Sequence, residues 1–317
     1  MPDSDGDIVA RVRAGDARAT ARLLSWVEDG APGLAQAMSA LASGTQGAHV
    51  IGVTGAPGVG KSTLTSALVG EYRRRGRRVG VLAVDPSSPF SGGALLGDRI
   101  RMQEHSTDPG VFIRSMASRG HLGGIAAATP QAIRVLEAAG YDVILVETVG
   151  VGQSEVDVAA TADSTIVVLA PGMGDGIQAA KAGILEVGDI LCVNKSDRDG
   201  AESTAREIRQ MLSMTPRSDG AWAPSVVLAV ASRGEIGPVV EALDEREGWL
   251  AEARHLHDRR RQRAAEEILA IALGQVRRRL ADADGAALDG LAARVAEGTL
   301  DPFSAASLLL EGPGHLR

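Results

Sequence analysis

The stretch GAPGVGKST, at residues 55–63, constrains the fold of this 317-residue chain more than any other feature. It fits the pattern Gly-x-x-x-x-Gly-Lys-Ser, and it lies between the apolar run HVIGVTG and a segment with the pattern of a helix. A glycine-rich turn between a strand and a helix lets backbone N–H groups surround a phosphate chain at the helix N-terminus. The sequence therefore predicts a phosphate-binding loop, with a glycine-rich turn that binds no ligand as the alternative. The predicted phosphate-binding residues are Gly55, Ala56, Pro57, Gly58, Val59, Gly60, Lys61, Ser62 and Thr63.

Short β-branched runs alternate with helix-like segments through the middle of the chain. Most of the runs are nearly continuous in apolar residues, which is typical of strands buried on both faces of a mainly parallel sheet. The sequence therefore predicts an α/β fold of the P-loop NTPase type, with helices flanking the sheet. The predicted strands lie at 49–55, 79–85, 111–116, 142–147, 164–170, 189–194 and 225–230.

Helical segments are predicted at both ends of the chain. Asp16 is placed to cap a helix that stops at Gly30, and Asp301 followed by Pro302 marks the start of a last helix. The expected divisions are an N-terminal helical extension at 1–46, a P-loop domain at 47–238 and a C-terminal helical region at 239–317. The C-terminal region is too polar to form a core alone, so we expect it to pack on the sheet domain or on a second subunit.

The segment NKSD follows the apolar run DILCV, downstream of the phosphate-binding loop. In many GTPases the Asp of this motif accepts hydrogen bonds from N1–H and the exocyclic amine of guanine, a pair of donors that adenine lacks. A buried carboxylate left unpaired against the wrong base is costly, so the motif predicts GTP, although Asn-Lys-x-Asp alone is also a common surface turn. A second segment, AVASRG, resembles the loop whose backbone N–H reads guanine O6. The predicted guanine-binding residues are Asn194, Lys195, Asp197, Val230, Ala231 and Ser232.

Three acidic residues follow three separate predicted strands or loops. Asp85 ends the strand after the phosphate-loop helix, Asp98 lies in a glycine-containing segment, and Glu147 ends the run DVILVE. Open α/β sheets bind ligands at the carboxyl ends of their strands, so we expect these acids to share metal coordination and water activation, although each alone could cap a helix. Lys61 is expected to reach the β- and γ-phosphates, and the Ser62 hydroxyl to bind Mg²⁺. The expected bound groups are GTP or GDP and Mg²⁺.

The catalytic glutamine of Ras-like GTPases is missing from its usual place. A Ras-like switch reads Asp-x-x-Gly-Gln, whereas this chain reads ETVGVGQSE, with Val151 after the glycine and Gln153 further on. Asp85 is available to orient or deprotonate the attacking water instead. We therefore expect slow intrinsic hydrolysis that depends on a partner to complete the site.

Composition narrows the classes of partner. The net charge of −7 argues against nucleic acid or an anionic membrane as the main partner. No apolar run approaches the ~20 residues of a membrane helix, and the acidic, polar N-terminus differs from a signal or transit peptide. Cys192 is the only cysteine, which excludes an intrachain disulfide and a thiolate cluster. We expect a soluble cytoplasmic protein that binds neither nucleic acid nor membrane.

The chain resembles the MeaB/ArgK family of P-loop GTPases, whose human counterpart is the methylmalonic aciduria type A protein. The resemblance covers nearly the whole chain and is carried by GAPGVGKST, VDPSSPFSGGALLGDRIRM, IRSMASRGHLGG, ETVGVGQSE, PGMGDGIQAAKAGILE and NKSD. Members are G-protein chaperones of adenosylcobalamin-dependent acyl-CoA mutases, and they use GTP binding and hydrolysis to gate cofactor delivery and to protect the mutase. The resemblance implies the same activity and the same class of partner here, and it leaves open which mutase is served.

The resemblance also implies roles for individual residues. Asp85 would lie near the γ-phosphate and the attacking water. Asp175 and Lys181 would be the charged members of a third switch, through which nucleotide state and mutase communicate. A homodimer formed through the C-terminal helical arm is also implied. The residues implied to serve the magnesium are Ser62, Asp98 and Glu147.

Three other functions are open at this point. A GTPase metallochaperone of the nickel-insertion kind would need Cys and His ligands, yet His255 and His257 are two residues apart and so point to different faces of a helix. A kinase of a transport binding protein is not excluded by the phosphate-binding loop alone. A nucleotide-bound scaffold without useful turnover would bind GTP tightly and show no hydrolysis stimulated by a partner.

Overall fold

The computed structural model describes most of the chain in two compact units. The described residues are 5–42, 47–86, 103–118, 128–148, 160–172, 187–214, 216, 218, 220–252, 254–283 and 285–311. The first unit ends at Arg263 and the second begins at Ala264. The divisions expected from the sequence, at 46/47 and 238/239, stay predictions.

A seven-stranded sheet forms the core of the first unit, in the order β3-β2-β4-β1-β5-β6-β7. All its neighbouring strands pair in parallel. Each run predicted as a strand forms one, so the predicted α/β fold with a mainly parallel sheet is confirmed. The strands are β1 (His49–Thr54), β2 (Val79–Pro86), β3 (Val111–Ser118), β4 (Val143–Thr148), β5 (Ser164–Leu169), β6 (Ile190–Val193) and β7 (Ser225–Leu228).

Ten α-helices lie within the described residues. None of the helices in this part of the chain combines the length and the apolar composition that a membrane span requires. The helices are α1 (Asp5–Arg13), α2 (Ala17–Asp29), α3 (Leu34–Leu41), α4 (Lys61–Arg74), α5 (Ala128–Ala138), α6 (Ala201–Met214), α7 (Gly237–Ala251), α8 (His255–Ala283), α9 (Gly285–Ala296) and α10 (Pro302–Glu311).

The strands send alternate side chains into hydrophobic cores on the two faces of the sheet. In β1, Val50 belongs to one core, and Ile51 and Val53 belong to the other. In β4, Ile144 and Leu145 divide in the same way. Helices α1, α2, α3 and α5 cover the first core, and α4 and α7 cover the second. Burial on both faces explains why the strand sequences are almost continuously apolar.

Two helix starts and one helix end agree with the capping signals in the sequence. Asp16 Oδ1 accepts hydrogen bonds from the N–H groups of Arg18 and Ala19 at 2.8 and 3.1 Å, at the start of α2. Helix α2 ends at Gly30, which has a left-handed φ of 61°. Asp301 Oδ1 accepts from the N–H of Phe303 at 2.9 Å, at the start of α10. Capping side chains and a left-handed glycine satisfy backbone groups that have no partner inside the helix, so these predictions are confirmed.

Buried carboxylates at the amino ends of the central strands pair with arginines of α7 and of the start of α8. Asp163 accepts from the N–H of Val50 at 3.0 Å and from Arg260 Nη2 at 3.1 Å. Asp189 pairs with the buried Arg246 of α7 at 2.9 Å. A buried carboxylate is costly unless it is paired and hydrogen-bonded. These pairs therefore offset the cost of burying the carboxylates at the edge of the sheet opposite the carboxyl ends of the strands.

Candidate functional site

The glycine-rich loop runs from the end of β1 to the first residue of α4, as its sequence predicts. Gly55 and Gly60 have φ angles of 137° and 98°, a region that residues with a Cβ rarely adopt. A Cβ on Gly55 would lie 2.2 Å from the carbonyl oxygen of Val168, and a Cβ on Gly60 would lie 2.4 Å from Asn194 Nδ2. The loop therefore packs too closely against β5 and the residue after β6 to accept a side chain at either position.

We expect Gly55→Ala to lower the free energy of unfolding by about 3 kcal/mol, because backbone strain adds to a clash with a carbonyl fixed in the sheet. Gly58→Ala is the matched control, since Gly58 also has a positive φ of 79° but no described atom lies within 4 Å of the added Cβ. Strain alone should reduce its stability by about 1–2 kcal/mol. Urea unfolding without nucleotide measures both variants. Equal losses would contradict the close packing of the loop on β5.

Two ammonium groups lie against the carbonyls of this loop. Lys61 Nζ donates to the carbonyl oxygens of Gly55 and Ala56 at 2.7 and 3.1 Å. Lys195 Nζ donates to the carbonyl oxygen of Gly58 at 2.6 Å, from a residue whose own φ is 57°. A non-glycine residue in this left-handed region is uncommon and persists only where its surroundings fix it. Together with the N-terminus of α4, the two ammonium groups make the loop a positive site suited to phosphate.

A hydroxyl and a carboxylate meet beside the loop. Ser62, in the first turn of α4, donates through Oγ to Glu147 Oε1 at 2.6 Å. Glu147 lies near the carboxyl end of β4 and is only 4% exposed. Mg²⁺ prefers hard oxygen ligands and is usually held by one or two protein groups together with phosphate oxygens and water. The donor set fits this ion, and the role of the pair as magnesium ligands stays a prediction.

Asn194 joins the phosphate-binding loop to the turn after β7. Its Nδ2 donates to the carbonyl oxygen of Val59 at 2.9 Å, and its Oδ1 accepts from the N–H of Ala231 at 3.0 Å. The residue is 2% exposed, so both bonds are shielded from water. The motif predicts Asn194 as a guanine-binding residue, whereas its described contacts are those of a brace between two loops.

The backbone N–H groups of the turn Ala231–Arg233 differ in their partners. The N–H of Ala231 donates to Asn194, and the N–H of Arg233 donates to the carbonyl oxygen of Val230 at 2.9 Å. The N–H of Ser232 donates to no acceptor among the described residues. The N–H of Val230 donates to the carbonyl oxygen of Glu235 at 3.1 Å. Of the three residues predicted for this part of the guanine site, Ser232 is therefore the one whose backbone donor is available to a ligand.

Asp197, the acid of the NKSD motif, lies on the turn after β6 and faces the turn that contains Ser232. Arg233 Nη2 donates to Asp197 Oδ2 at 3.2 Å. Sequence reasoning missed this pair. The chain has 33 basic residues, nearly all of them arginine, so one further arginine in AVASRG gives no signal of a special role.

The structure describes only some of the predicted site residues. Asp85 lies in β2, where its backbone pairs with Ala117 of β3, and its side chain lies outside the described part. Asp98, Asp175 and Lys181 also lie outside the described residues. The structure thus brings the phosphate-loop residues, Glu147, the NKSD motif and the turn after β7 together at the carboxyl edge of the sheet, where open α/β sheets bind ligands.

The described residues do not favour a transition-metal site. Burial raises the pKa of the Cys192 thiol to about 12, so the thiolate form that binds metals is not populated at neutral pH. His255 stacks on Trp249 with ring centroids 3.7 Å apart, and the exposed His257 lies beside Asp258. Within the described ranges, no group of three or more His, Cys, Asp or Glu residues is arranged to hold a metal ion.

The sheet, the glycine-rich loop and the lysine at the start of α4 define a P-loop NTPase. The sequence model of a family described as methylmalonyl-CoA mutase-associated GTPase MeaB matches residues 20–285. The chain therefore belongs to the MeaB family, and the resemblance to MeaB/ArgK GTPases is confirmed.

Individual relatives agree with this assignment. A Pyrococcus horikoshii protein named as a GTPase is 46% identical over 308 residues, which cover 96% of this chain and 97% of that protein. The mitochondrial methylmalonic aciduria type A homolog of Caenorhabditis elegans is 40% identical over 218 residues, which cover 67% of this chain and 54% of that protein. A crystal structure of the LAO/AO transport system kinase matches with a TM-score of 0.72 and 28% identity, and the match covers 98% of both chains.

Proposed function

We propose that this MeaB-family GTPase uses GTP binding and hydrolysis to gate adenosylcobalamin loading and protection of an acyl-CoA mutase. The nucleotide part of the proposal is supported by the two hydrogen bonds of Asn194, which join the phosphate-binding loop to the turn after β7. One buried amide links a positive, glycine-rich loop to two turns that present Asp197 and the N–H of Ser232. A nucleotide needs this combination, with phosphate donors at one end and base-edge groups at the other.

The chain's own residues supply the chemistry of hydrolysis. Water attacks the γ-phosphorus, the bond to the β–γ bridging oxygen breaks, and GDP and phosphate leave. Lys61 and the loop N–H groups stabilise the charge on the phosphate oxygens. Mg²⁺ held by Ser62 and Glu147 supplies further neutralising charge when it is bound. We expect Asp85, at the carboxyl end of β2 and next to β4, to orient or deprotonate the water.

Base selection follows from the donors and acceptors of the two turns. The carboxylate of Asp197 accepts from N1–H and the exocyclic amine of guanine, and the N–H of Ser232 donates to O6. Adenine would place its N1 acceptor against the carboxylate and its amino group against the Ser232 donor. A bound base displaces water from these groups, so mismatches of this kind leave polar groups unpaired, which disfavours ATP.

A mutase partner is supported by the family. The family description names methylmalonyl-CoA mutase, and a relative is named a methylmalonic aciduria type A homolog. From the resemblance to the family, we propose that Lys181, with Asp175, couples nucleotide state to the mutase. Asp98 is proposed to serve the magnesium.

The mutase proposal is tested by GTP turnover with purified methylmalonyl-, isobutyryl-, ethylmalonyl- or 2-hydroxyisobutyryl-CoA mutase. We expect one of them to accelerate hydrolysis by about tenfold or more, because a partner that completes the active site of a GTPase raises its rate by at least this factor. Lys181→Ala should keep the basal rate and lose most of the stimulation, whereas the exposed Arg206→Ala should keep both. No acceleration by any mutase would contradict the partner assignment. Equal loss of both rates in Lys181→Ala would place that lysine in the hydrolytic site.

A kinase function is the second candidate, because the similar LAO/AO structure is named a transport system kinase. A kinase would transfer the γ-phosphoryl group of the nucleotide to an acceptor protein instead of water. Incubation with γ-labelled GTP and a transport binding protein separates the two, since hydrolysis releases the label as free phosphate. Label that stays on the protein would favour the kinase.

We propose that the chain forms a homodimer through the second unit, as the resemblance implies. Leu269, Leu273 and Val276 of α8 are 60%, 61% and 42% exposed. They are spaced at i, i+4 and i+7, so they form one apolar stripe on the helix, which is typical of helix–helix interfaces. A second copy of the same helix is the occupant we propose for this stripe.

The double variant Leu269→Glu, Leu273→Glu is expected to be monomeric, because four buried charges would face each other across a symmetric interface. The dissociation constant should rise by about 100-fold or more, since the loss of paired apolar contacts adds to charge repulsion. Gln275→Glu, exposed on another face of α8, is the control for added charge. Sedimentation velocity measures all three proteins. A dimer that survives the double substitution would show that another surface forms the interface.

A further inference from the structure

The pair formed by Arg233 and Asp197 has no assigned role in the nucleotide site. We infer that Arg233 is a positioning residue for guanine recognition, which holds the Asp197 carboxylate in the orientation that binds both donors of the base. The observation is the hydrogen bond from Arg233 Nη2 to Asp197 Oδ2 at 3.2 Å. This inference rests on the proposed guanine site and deepens it by adding a residue that determines its specificity.

The two turns that carry the pair are fixed to each other by backbone bonds. The N–H of Ser196 donates to the carbonyl oxygen of Ala229 at 3.0 Å, which joins the NKSD turn to the end of β7. The turn Ala231–Arg233 ends at Gly234, whose φ of 73° lies in the left-handed region. The hydrogen bond from the N–H of Ala231 to Asn194 Oδ1 adds a second link. Arg233 therefore approaches Asp197 from a constrained backbone, and the pair does not depend on two mobile surface loops.

The contact leaves the base-binding capacity of Asp197 intact. A carboxylate has two oxygens with two lone pairs each. Guanine takes one lone pair on each oxygen, through N1–H and the exocyclic amine, and Arg233 takes another on Oδ2. The arginine thus limits rotation of the carboxylate about its last bond without competing for the base. A neutral partner in this position would not counter the negative charge that remains on Asp197.

Solvent determines how strongly the pair acts. The side chains of Asp197 and Arg233 are 33% and 59% exposed, and ion pairs that are this open to water contribute little to stability. A purine ring bound to Asp197 removes water from the carboxylate. The ion pair of Asp197 and Arg233 then strengthens, because the local dielectric constant falls. The effect of Arg233 should therefore appear in nucleotide binding and only weakly in the stability of the free protein.

The test compares GTP with ITP, whose base lacks the exocyclic amine. GTP needs both carboxylate oxygens in the plane of the base, whereas ITP offers only N1–H and tolerates a rotated carboxylate. We expect Arg233→Ala to weaken GTP binding about three- to fivefold and ITP binding less than twofold, with the weakening of GDP equal to that of GTP. Arg233→Lys should recover most of the difference, because its ammonium can reach the same oxygen. Displacement of a fluorescent GDP analogue measures each affinity.

Arg198→Ala is the matched control, since Arg198 is an exposed arginine next to Asp197 with no side-chain bond to the described residues. It should leave the GTP-to-ITP ratio unchanged, which separates positioning of the carboxylate from general attraction to phosphate. Unchanged affinities for both GTP and ITP in Arg233→Ala would overturn the inference while the guanine site stands. Equal loss of GTP and ITP would also overturn it, because a collapsed turn has that signature. A wild-type protein that fails to discriminate GTP from ITP and ATP would overturn the guanine site itself.

Discussion

Asp197→Asn should change the preferred nucleotide from GTP to XTP. In the proposed guanine site the carboxylate accepts two hydrogen bonds from the base, and an amide in its place would present a donor to the exocyclic amine. Sites built to hydrogen-bond a substrate group discriminate by large factors, so GTP affinity should fall by about 100-fold or more. Xanthine carries a carbonyl where guanine has the amine, so the introduced amide can donate to that carbonyl while still accepting from N1–H.

Competition between GTP and XTP for a fluorescent GDP analogue measures this change. Asp199→Asn is the control, because Asp199 is an exposed acid two residues further along the same turn. It should leave both affinities within twofold of wild type, since surface substitutions away from a site have small effects. Unchanged GTP affinity in Asp197→Asn would refute the assignment of the base site.

Lys61→Ala should lower single-turnover GTP hydrolysis by about 1,000-fold, because a preorganised charge on the transferred phosphate oxygens is lost. In the structure the Lys61 ammonium lies 2.7 and 3.1 Å from the carbonyls of the loop, at the N-terminus of α4. Nucleotide affinity should also fall, but less than the rate, since the backbone N–H groups of the loop remain.

Saturating nucleotide and rapid quenching separate the rate from the affinity. Arg74→Ala, at the exposed end of the same helix, controls for loss of a positive charge and should keep the wild-type rate. A Lys61→Ala variant that hydrolyses GTP within threefold of wild type, with nucleotide bound, would remove this lysine from the catalytic site.

Local signals made the fold predictable to a large extent. Each apolar run predicted as a strand forms one, because strands buried on both faces need apolar side chains at every position. Asp16, Gly30 and Asp301 mark helix ends because caps act on backbone groups within one turn. The order of the strands had no such local signal. The break between α7 and α8 also had none, since residues 252–254 contain neither Gly nor Pro.

The candidate site was predictable where its chemistry is contained in one short motif. The glycine-rich loop is of this kind, since it lies between β1 and α4 as its motif predicts, whereas the ligands of this loop and of the NKSD motif stay predictions. Contacts between distant segments were not predictable. Asn194 bonds to Val59 across 135 positions and to Ala231 across 37, and Arg233 bonds to Asp197 across 36. Such pairs depend on which strands become neighbours, and no spacing in the sequence specifies that.

The most direct test of the central claim is hydrolysis of GTP and ATP by the wild-type protein, with Mg²⁺ and after its removal by chelation. A guanine site joined to a P-loop predicts slow hydrolysis of GTP and a kcat/KM for ATP that is at least about 100-fold lower. Removal of the metal should abolish hydrolysis of both nucleotides. Equal turnover of ATP and GTP, or a preference for ATP, would contradict base recognition by Asp197 and Ser232.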